Sequence, residues 1–246
     1  MPLNLLLFKE TFKEGYVAVQ KVIAIDGPSG SGKSTMAKSL ASKLKLLYID
    51  TGAMFRALGY YADQKKVSLN NSEDLESFLS TLSIKYGGGP KELIVIDGVN
   101  LTNKIREHHV SALASKISQI PVVREFLLRF QRSLVNDHIC VMEGRDIGTV
   151  VFPQAFCKIF ITATPEVRAK RRHTELQESG EDNVTYQKVL EDVIERDRLD
   201  TNREIAPLKV AEGAVVVDTS LLSPSDVLEK LCQTSFSKAN ENDLKL

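Results

Sequence analysis

Lys33, Ser34 and Thr35 close the stretch Gly27-Pro28-Ser29-Gly30-Ser31-Gly32-Lys33-Ser34-Thr35, a complete G-x-x-x-x-G-K-[ST] pattern. Glycines at this spacing let successive backbone N–H groups turn inward around phosphate oxygens, and a following helix adds the partial positive charge of its N-terminus. Lys33 is then placed to reach the outer phosphates, and the Ser34 hydroxyl to ligate Mg²⁺. Three other clusters carry charge beside small residues. They are Asp50-Thr51-Gly52-Ala53-Met54-Phe55-Arg56, Glu143-Gly144-Arg145-Asp146-Ile147-Gly148-Thr149, and Arg196, Asp200 and Arg203 at spacings of four and three.

Phosphoryl transfer needs charge on equatorial oxygens neutralised by Lys, Arg and Mg²⁺, with little covalent work for the protein. No separate general base stands out. That favours an acceptor which is itself a phosphate, already ionised near neutral pH. An alcohol acceptor would need a positioned carboxylate, and Asp50 or Asp146 could serve. A guanine-reading N-K-x-D motif is missing, because Asn103-Lys104-Ile105-Arg106 breaks it at the last position. Read from position alone, Arg56 serves equally as a solvated helix arginine. Arg196, Asp200 and Arg203 serve equally as a surface ion-pair ladder.

The elements that must position these residues alternate along the chain. Val22 to Ile25 is a buried strand, and Met36, Ala37, Leu40, Ala41 and Leu44 share a helix face behind the glycine loop. Leu46 to Ile49, Ile139 to Met142, Cys157 to Thr162 and Ala214 to Val217 are further apolar strands. Polar groups at the carboxyl ends of such strands face the crevice where open α/β sheets bind ligands. The expected fold is α/β, a parallel five-stranded sheet flanked by helices with right-handed crossovers.

A composition shift marks an insert at about 61–101, read as an acceptor-binding subdomain folded over the acceptor side, with a purely structural flap as the alternative. Asn70, Asn71 and Ser72 precede a capped helix, and Ser83 to Tyr86 and Leu93 to Asp97 flank Gly87-Gly88-Gly89-Pro90 as a hairpin would. Pro121 opens an amphipathic helix whose core face is Val123, Phe126, Leu127, Phe130 and Leu134, with Arg124 pointing elsewhere. Arg168, Lys170, Arg171 and Arg172 occupy a lid-like stretch at about 165–183. Behind it lies a helix presenting Tyr186, Val189, Leu190, Val193 and Ile194. The main domain is read as 21–233, with a polar, loose tail over 234–246 and an extension over 1–20 that has no assigned role.

The chain has 246 residues, 43% of them hydrophobic, enough for one substantial core. Lys+Arg and Asp+Glu are 32 each, so no global field would hold the chain on nucleic acid or an acidic membrane. Cys140, Cys157 and Cys232 lack metal-ligand spacing and read as buried thiols of a reducing, cytoplasmic compartment. No apolar run approaches the ~20 residues of a membrane span. Leu3 to Phe8 lacks the flanks of a signal peptide. A monomer is expected, since nothing marks an exposed apolar stripe.

Taken together, the phosphate loop, Asp50 to Arg56, Glu143 to Pro153, and Glu195-Arg196-Asp197 through Asn202-Arg203 to Ala206-Pro207-Leu208 resemble bacterial cytidylate kinases. The resemblance runs from about Lys21 to Leu231. It implies transfer of the γ-phosphoryl group of ATP to CMP or dCMP, with Mg²⁺ held at Ser34. Lys33, Arg145, Arg196 and Arg203 would be catalytic, and residues 27–35 with Arg171 and Arg172 would hold ATP. Arg56, Arg145 and Arg203 would hold the acceptor phosphate, Asp200 its ribose hydroxyl, and Thr51 would line the same site. Ser115, Arg124 and Asp146 would read cytosine. A carboxylate can accept from its exocyclic amine, while Arg and Ser can donate to its ring nitrogen and carbonyl. Arg196 with Arg168, Arg171 and Arg172 would close over ATP and exclude water. Thr51 stands where many relatives have Ser, which keeps the hydroxyl, and residues 1–20 lie outside the family pattern. Two other readings compete: a phosphate-loop kinase acting on UMP, AMP or an alcohol such as shikimate, and a nucleotide-gated binding module without turnover.

Overall fold

The computed structural model describes residues 20–107, 109–135, 138–178, 180 and 184–246. Residues 1–19, most of the N-terminal extension, and 179 and 181–183 of the lid-like stretch lie outside the described residues. The chain begins with β1 (Gln20–Asp26), α1 (Lys33–Leu44), β2 (Leu47–Asp50) and α2 (Thr51–Gln64). Next come α3 (Ser72–Thr81), β3 (Ile84–Tyr86), β4 (Ile94–Ile96), β5 (Val99–Asn100), α4 (Val110–Ile117) and α5 (Pro121–Ser133). The last third holds β6 (Cys140–Gly144), β7 (Ala155–Thr162), α6 (Pro165–Glu178), α7 (Tyr186–Asn202), β8 (Val215–Asp218) and α8 (Pro224–Glu241).

Five strands form one parallel sheet in the order β2-β6-β1-β7-β8, as the alternating pattern predicts. β1 lies at its centre, and its side chains alternate between two cores. Val22 and Ala24 join the core beneath α2 and α5, whereas Ile23 and Ile25 join the core beneath α1 and α8. Leu47 opens β2 at the sheet edge and is exposed, which explains why this strand needs less apolar sequence.

The expected hairpin is present. β3 pairs antiparallel with β4, and β4 with β5, as a separate three-stranded sheet. Asn71 caps α3, its side-chain oxygen accepting from the N–H groups of Glu73 and Asp74. This piece starts later than the composition shift suggests. α2 continues through Gln64, so Tyr61 and Ala62 are buried in the main core.

Two further expectations are corrected. The residues after 233 are not a loose tail, because α8 runs to Glu241 with Cys232, Ser235 and Ala239 buried against the sheet. Serine and lysine on the outer face hid that helix from a polarity reading. In α7 only Val189 and Val193 of the expected face are buried, while Tyr186 and Ile194 are exposed. Gln20 also belongs to β1, exchanging hydrogen bonds with Gln154. The three cysteines are free and buried, and burial pushes the Cys140 and Cys157 thiols up to about 12.

Candidate active site

The carboxyl ends of β1, β2 and β6 lie side by side, with Asp26 in register with Gly144 and Asp50 with Glu143. Each strand end delivers one predicted cluster to the same place. An open cleft of about 1070 Å³ separates these ends from α4 and α7. Ser29, Gly30, Ser31, Gly32, Lys33, Ser34 and Thr35 line it, as do Thr51, Arg56, Ser115, Arg124, Arg145, Asp146, Arg171, Arg172, Arg196, Asp200 and Arg203. Every predicted site residue except Gly27, Pro28 and Arg168 therefore reaches one cavity.

Gly27 and Pro28 lie beneath the loop and shape it. Gly27 has a φ of 155°, and a Cβ there would meet the carbonyl oxygen of Ile161 at 2.0 Å, so no other residue fits. Gly32, at φ 83°, turns the chain into α1. The Lys33 ammonium is buried and donates to the Pro28 carbonyl at 3.3 Å. Burial pushes it down to about 7, with Arg145 adding to the effect and Glu143 and Asp50 opposing it.

Across the cleft, four arginines share two carboxylates. Arg145 Nε donates to Asp200 Oδ2 at 3.0 Å, with Arg196 Nε at 3.7 Å from the same oxygen and Arg203 Nη1 at 4.0 Å from Oδ1. Asp146 accepts from Arg124 and lies 3.5 Å from Arg203 Nη2. With two more guanidiniums than carboxylates, the cluster carries excess positive charge. Arg196 Nε and Arg203 Nη2 are buried and have no hydrogen-bond partner. Buried donors left open in this way, with no hydrogen-bond partner among the described residues, suit an acceptor from outside the chain. Burial also pushes both guanidiniums down, as do their arginine neighbours.

The two aspartates considered as general bases are both engaged. Asp50 caps α2 by accepting from the Ala53 N–H at 2.9 Å, and its other oxygen pairs with Arg56 at 3.0 Å. Arg56 thus lines the cleft as a half-buried, paired side chain. Likewise, Arg196, Asp200 and Arg203 face the cavity rather than forming a surface ladder. Thr51 is buried and donates to the Glu143 carbonyl at 2.7 Å.

The lid arginines divide. Arg172 is paired with Glu175 at the cleft rim. Arg171 is tied to Thr219, its Nη2 donating to that carbonyl at 2.8 Å. Arg168, expected over ATP, is buried instead: it binds both carboxylate oxygens of Asp197 and donates to the carbonyls of Ala163 and Ser29. It braces α6 against α7 and the phosphate loop from behind.

Sequence reasoning missed several partners. Tyr48 donates to Glu143 Oε1 at 2.7 Å, and Tyr86 of the hairpin accepts from the Asp50 N–H at 2.7 Å. Asp26 accepts from the Ile147 and Gly148 N–H groups at 2.8 and 2.7 Å. Asp26 and Glu143 stood inside quoted motifs, but only the register of β1 with β6 shows what they hold. Thr219 and Tyr86 carry no local signal.

Comparison with known proteins places the chain in a family. The family model described as cytidylate kinase matches residues 23–236. A cytidylate kinase from Caldicellulosiruptor bescii is 45% identical over 224 residues, covering 90% of this chain and 98% of its own. One from Thermosipho africanus is 44% identical over 88% of this chain and 95% of its own. One from Caldicellulosiruptor saccharolyticus is 46% identical over 87% and 95%. With the match running from the middle of β1 into α8 and spanning every cluster of the cleft, the chain belongs to the cytidylate kinase family.

Proposed function

We propose that this chain transfers the γ-phosphoryl group of MgATP to CMP or dCMP, releasing ADP and CDP or dCDP. The observation that carries the reading is Asp146, a buried carboxylate just beyond β6 in the same cleft as the phosphate loop, held by Arg124 and flanked by Arg203. A fixed acceptor beside a fixed donor matches the amine and carbonyl edges of cytosine, and disfavours uracil, which offers a carbonyl where cytosine has the amine. Ser115 joins them from α4.

Each end of the cleft then has its task. Backbone N–H groups of residues 29–35 and Lys33 hold the ATP phosphates, with Gly27 and Pro28 shaping the loop beneath them, and Arg171 and Arg172 border them. Arg56, Arg145 and Arg203 hold the acceptor phosphate, Asp200 the ribose, and Thr51 supports the same wall. Lys33, Arg145, Arg196 and Arg203 neutralise the charge that spreads over the transferring group, and the open donors of Arg196 and Arg203 suit that role. Asp50 and Asp146, the two carboxylates considered as bases, are both committed to arginines. This favours a phosphate acceptor over an alcohol.

The residues present fit Mg²⁺. Among the described residues no three His, Cys, Asp or Glu side chains gather as a metal cage, and Mg²⁺ is commonly held by phosphate oxygens, water and one or two protein oxygens. Ser34 in the cleft would supply such an oxygen, and the bound ion would neutralise charge between the outer phosphates. None of the described helices is long and apolar enough to cross a membrane. We read the protein as a cytoplasmic monomer acting on free nucleotides rather than nucleic acid.

The test is ADP formation from MgATP with CMP, dCMP, UMP, AMP and shikimate in parallel, with Lys33→Ala as the blank. Fast turnover with CMP and dCMP, slow with UMP and negligible otherwise, supports the reading. Turnover led by another acceptor, or ATP binding without turnover, overturns it.

A further inference from the structure

Ile147–Val151 forms a single π-helical turn directly after Arg145 and Asp146. Its own bonds run from the Val151 N–H to the Asp146 carbonyl at 3.1 Å and from the Phe152 N–H to the Ile147 carbonyl at 2.7 Å. Such wide turns are rare and leave end groups that must be satisfied from outside. Here both ends are satisfied by charged side chains from other elements. At the start, Asp26 Oδ1 accepts from the Ile147 N–H at 2.8 Å and Oδ2 from the Gly148 N–H at 2.7 Å. At the end, Arg132 of α5 donates from Nε to the Val151 carbonyl at 2.9 Å and from Nη2 to the Val150 carbonyl at 3.0 Å. The negative group faces the open N–H groups and the positive group faces the open carbonyls, the favourable sense for a helical turn.

We infer that Asp26 and Arg132 are positioning residues for acceptor selection, holding the Ile147–Val151 turn so that Asp146 meets the base and Arg145 the phosphate. This rests on the reading that CMP is the acceptor. Neither residue lines the cleft, so each acts through the turn. Asp26 is also the residue directly before Gly27. One carboxylate therefore ties the start of the phosphate loop to the reader of the acceptor, and donor and acceptor share a frame. A base-reading carboxylate tolerates little displacement, because its discrimination depends on hydrogen-bond geometry.

Arg132 is exposed, so Arg132→Met keeps the stem and removes both bonds without opening the core. Its KM for CMP is expected to rise about tenfold, the size of one lost charge-assisted hydrogen bond. The ratio of kcat/KM for CMP over UMP falls by a similar factor, while KM for MgATP stays within about twofold. Arg132→Lys, with one amine to offer a carbonyl, recovers part of both losses. Asp26→Asn can accept on one side only and sets an amide N–H against a backbone N–H, so its losses are larger. If that variant fails to fold, Arg132→Met decides, with its melting temperature as the control for a general effect.

Unchanged CMP KM and unchanged CMP to UMP ratio in Arg132→Met, alongside CMP turnover by the unsubstituted protein, overturns the inference and leaves the reading of the reaction intact. A fall in CMP and MgATP efficiency together, with a lowered melting temperature, overturns it as well, since that is a merely structural role. Absence of CMP turnover in the unsubstituted protein overturns the reading, and with it the assignment of this turn to base selection.

Discussion

Arg145 Nε and Asp200 Oδ2 lie 3.0 Å apart, joining residues 55 positions apart and tying the end of the central sheet to α7. Asp200 sits within 4.0 Å of Arg196 and Arg203 as well, so one carboxylate organises three guanidiniums. Burial alone would push its carboxyl up, but Arg145, Arg196 and Arg203 outweigh this and hold it below the usual carboxylate range.

Replacing this carboxylate should cost both activity and stability. Asp200→Ala leaves three arginines facing one another, and removing one partner of a buried ion network costs about 3–5 kcal/mol. A lower urea midpoint at neutral pH and a large fall in kcat/KM are expected. The pH dependence has a definite sign. A carboxyl depressed in the folded state stabilises it above the unfolded value and loses that contribution as pH falls through the folded one. Stability therefore drops on acidification below about pH 4 in the natural chain, and Asp200→Asn shows a shallower drop over the same range. Equal slopes in urea midpoints would contradict the assignment.

Lys33 makes ATP binding sensitive to pH in the other direction. With its ammonium pushed down to about 7, the nucleotide-free protein holds Lys33 increasingly neutral above that value. A bound polyphosphate restores the charged form, so binding takes up a proton and affinity falls as pH rises from about 7 to 9. Calorimetry at about pH 8 in two buffers of different protonation enthalpy should reveal that uptake. Lys33→Met should abolish it. Uptake that persists in the variant would place the proton elsewhere.

For base recognition, Asp146→Asn is a cleaner change than Asp146→Ala. Both Arg124 and Arg203 lean on this carboxylate, and Asn keeps an oxygen for Arg124 while offering N–H groups where cytosine presents its amine. CMP is expected to lose about 1–3 kcal/mol of transition-state stabilisation while the ATP dissociation constant barely moves. A CMP rate and a UMP rate both left unchanged would remove Asp146 from base reading.

Much of this arrangement is legible in the sequence because its signals are local. A glycine pattern between an apolar strand and an apolar helix face specifies the phosphate loop, and polar clusters after apolar runs mark the strand ends where ligands bind. What stayed hidden depends on contacts between distant segments. Arg168 has the same local appearance as Arg172, yet α7 brings Asp197 against one and leaves the other at the rim. Glu143 and Asp26 acquire their partners from the order of strands in the sheet, which no stretch of sequence states. The C-terminal residues read as loose because their polar positions outnumber their apolar ones, while the few small residues on one face suffice to pack α8.

The hairpin supplies the last test. Tyr86 reaches from β3 to accept the Asp50 N–H at 2.7 Å, and Asp50 in turn holds Arg56 at 3.0 Å. Burial pushes the Tyr86 hydroxyl well above its ordinary value, so it remains protonated throughout the working range. Tyr86→Phe keeps the ring and removes the hydroxyl that links the two sheets here, leaving the Asp50 N–H in search of a partner. The unmade bond costs about 1–3 kcal/mol, split between a lower urea midpoint and a looser Arg56. Since Arg56 is proposed to hold the acceptor phosphate, the KM for CMP should rise about threefold to tenfold while the KM for MgATP stays nearly constant. A rise in both constants would mean that the hairpin braces the whole cleft, and no rise in either would detach it from acceptor binding.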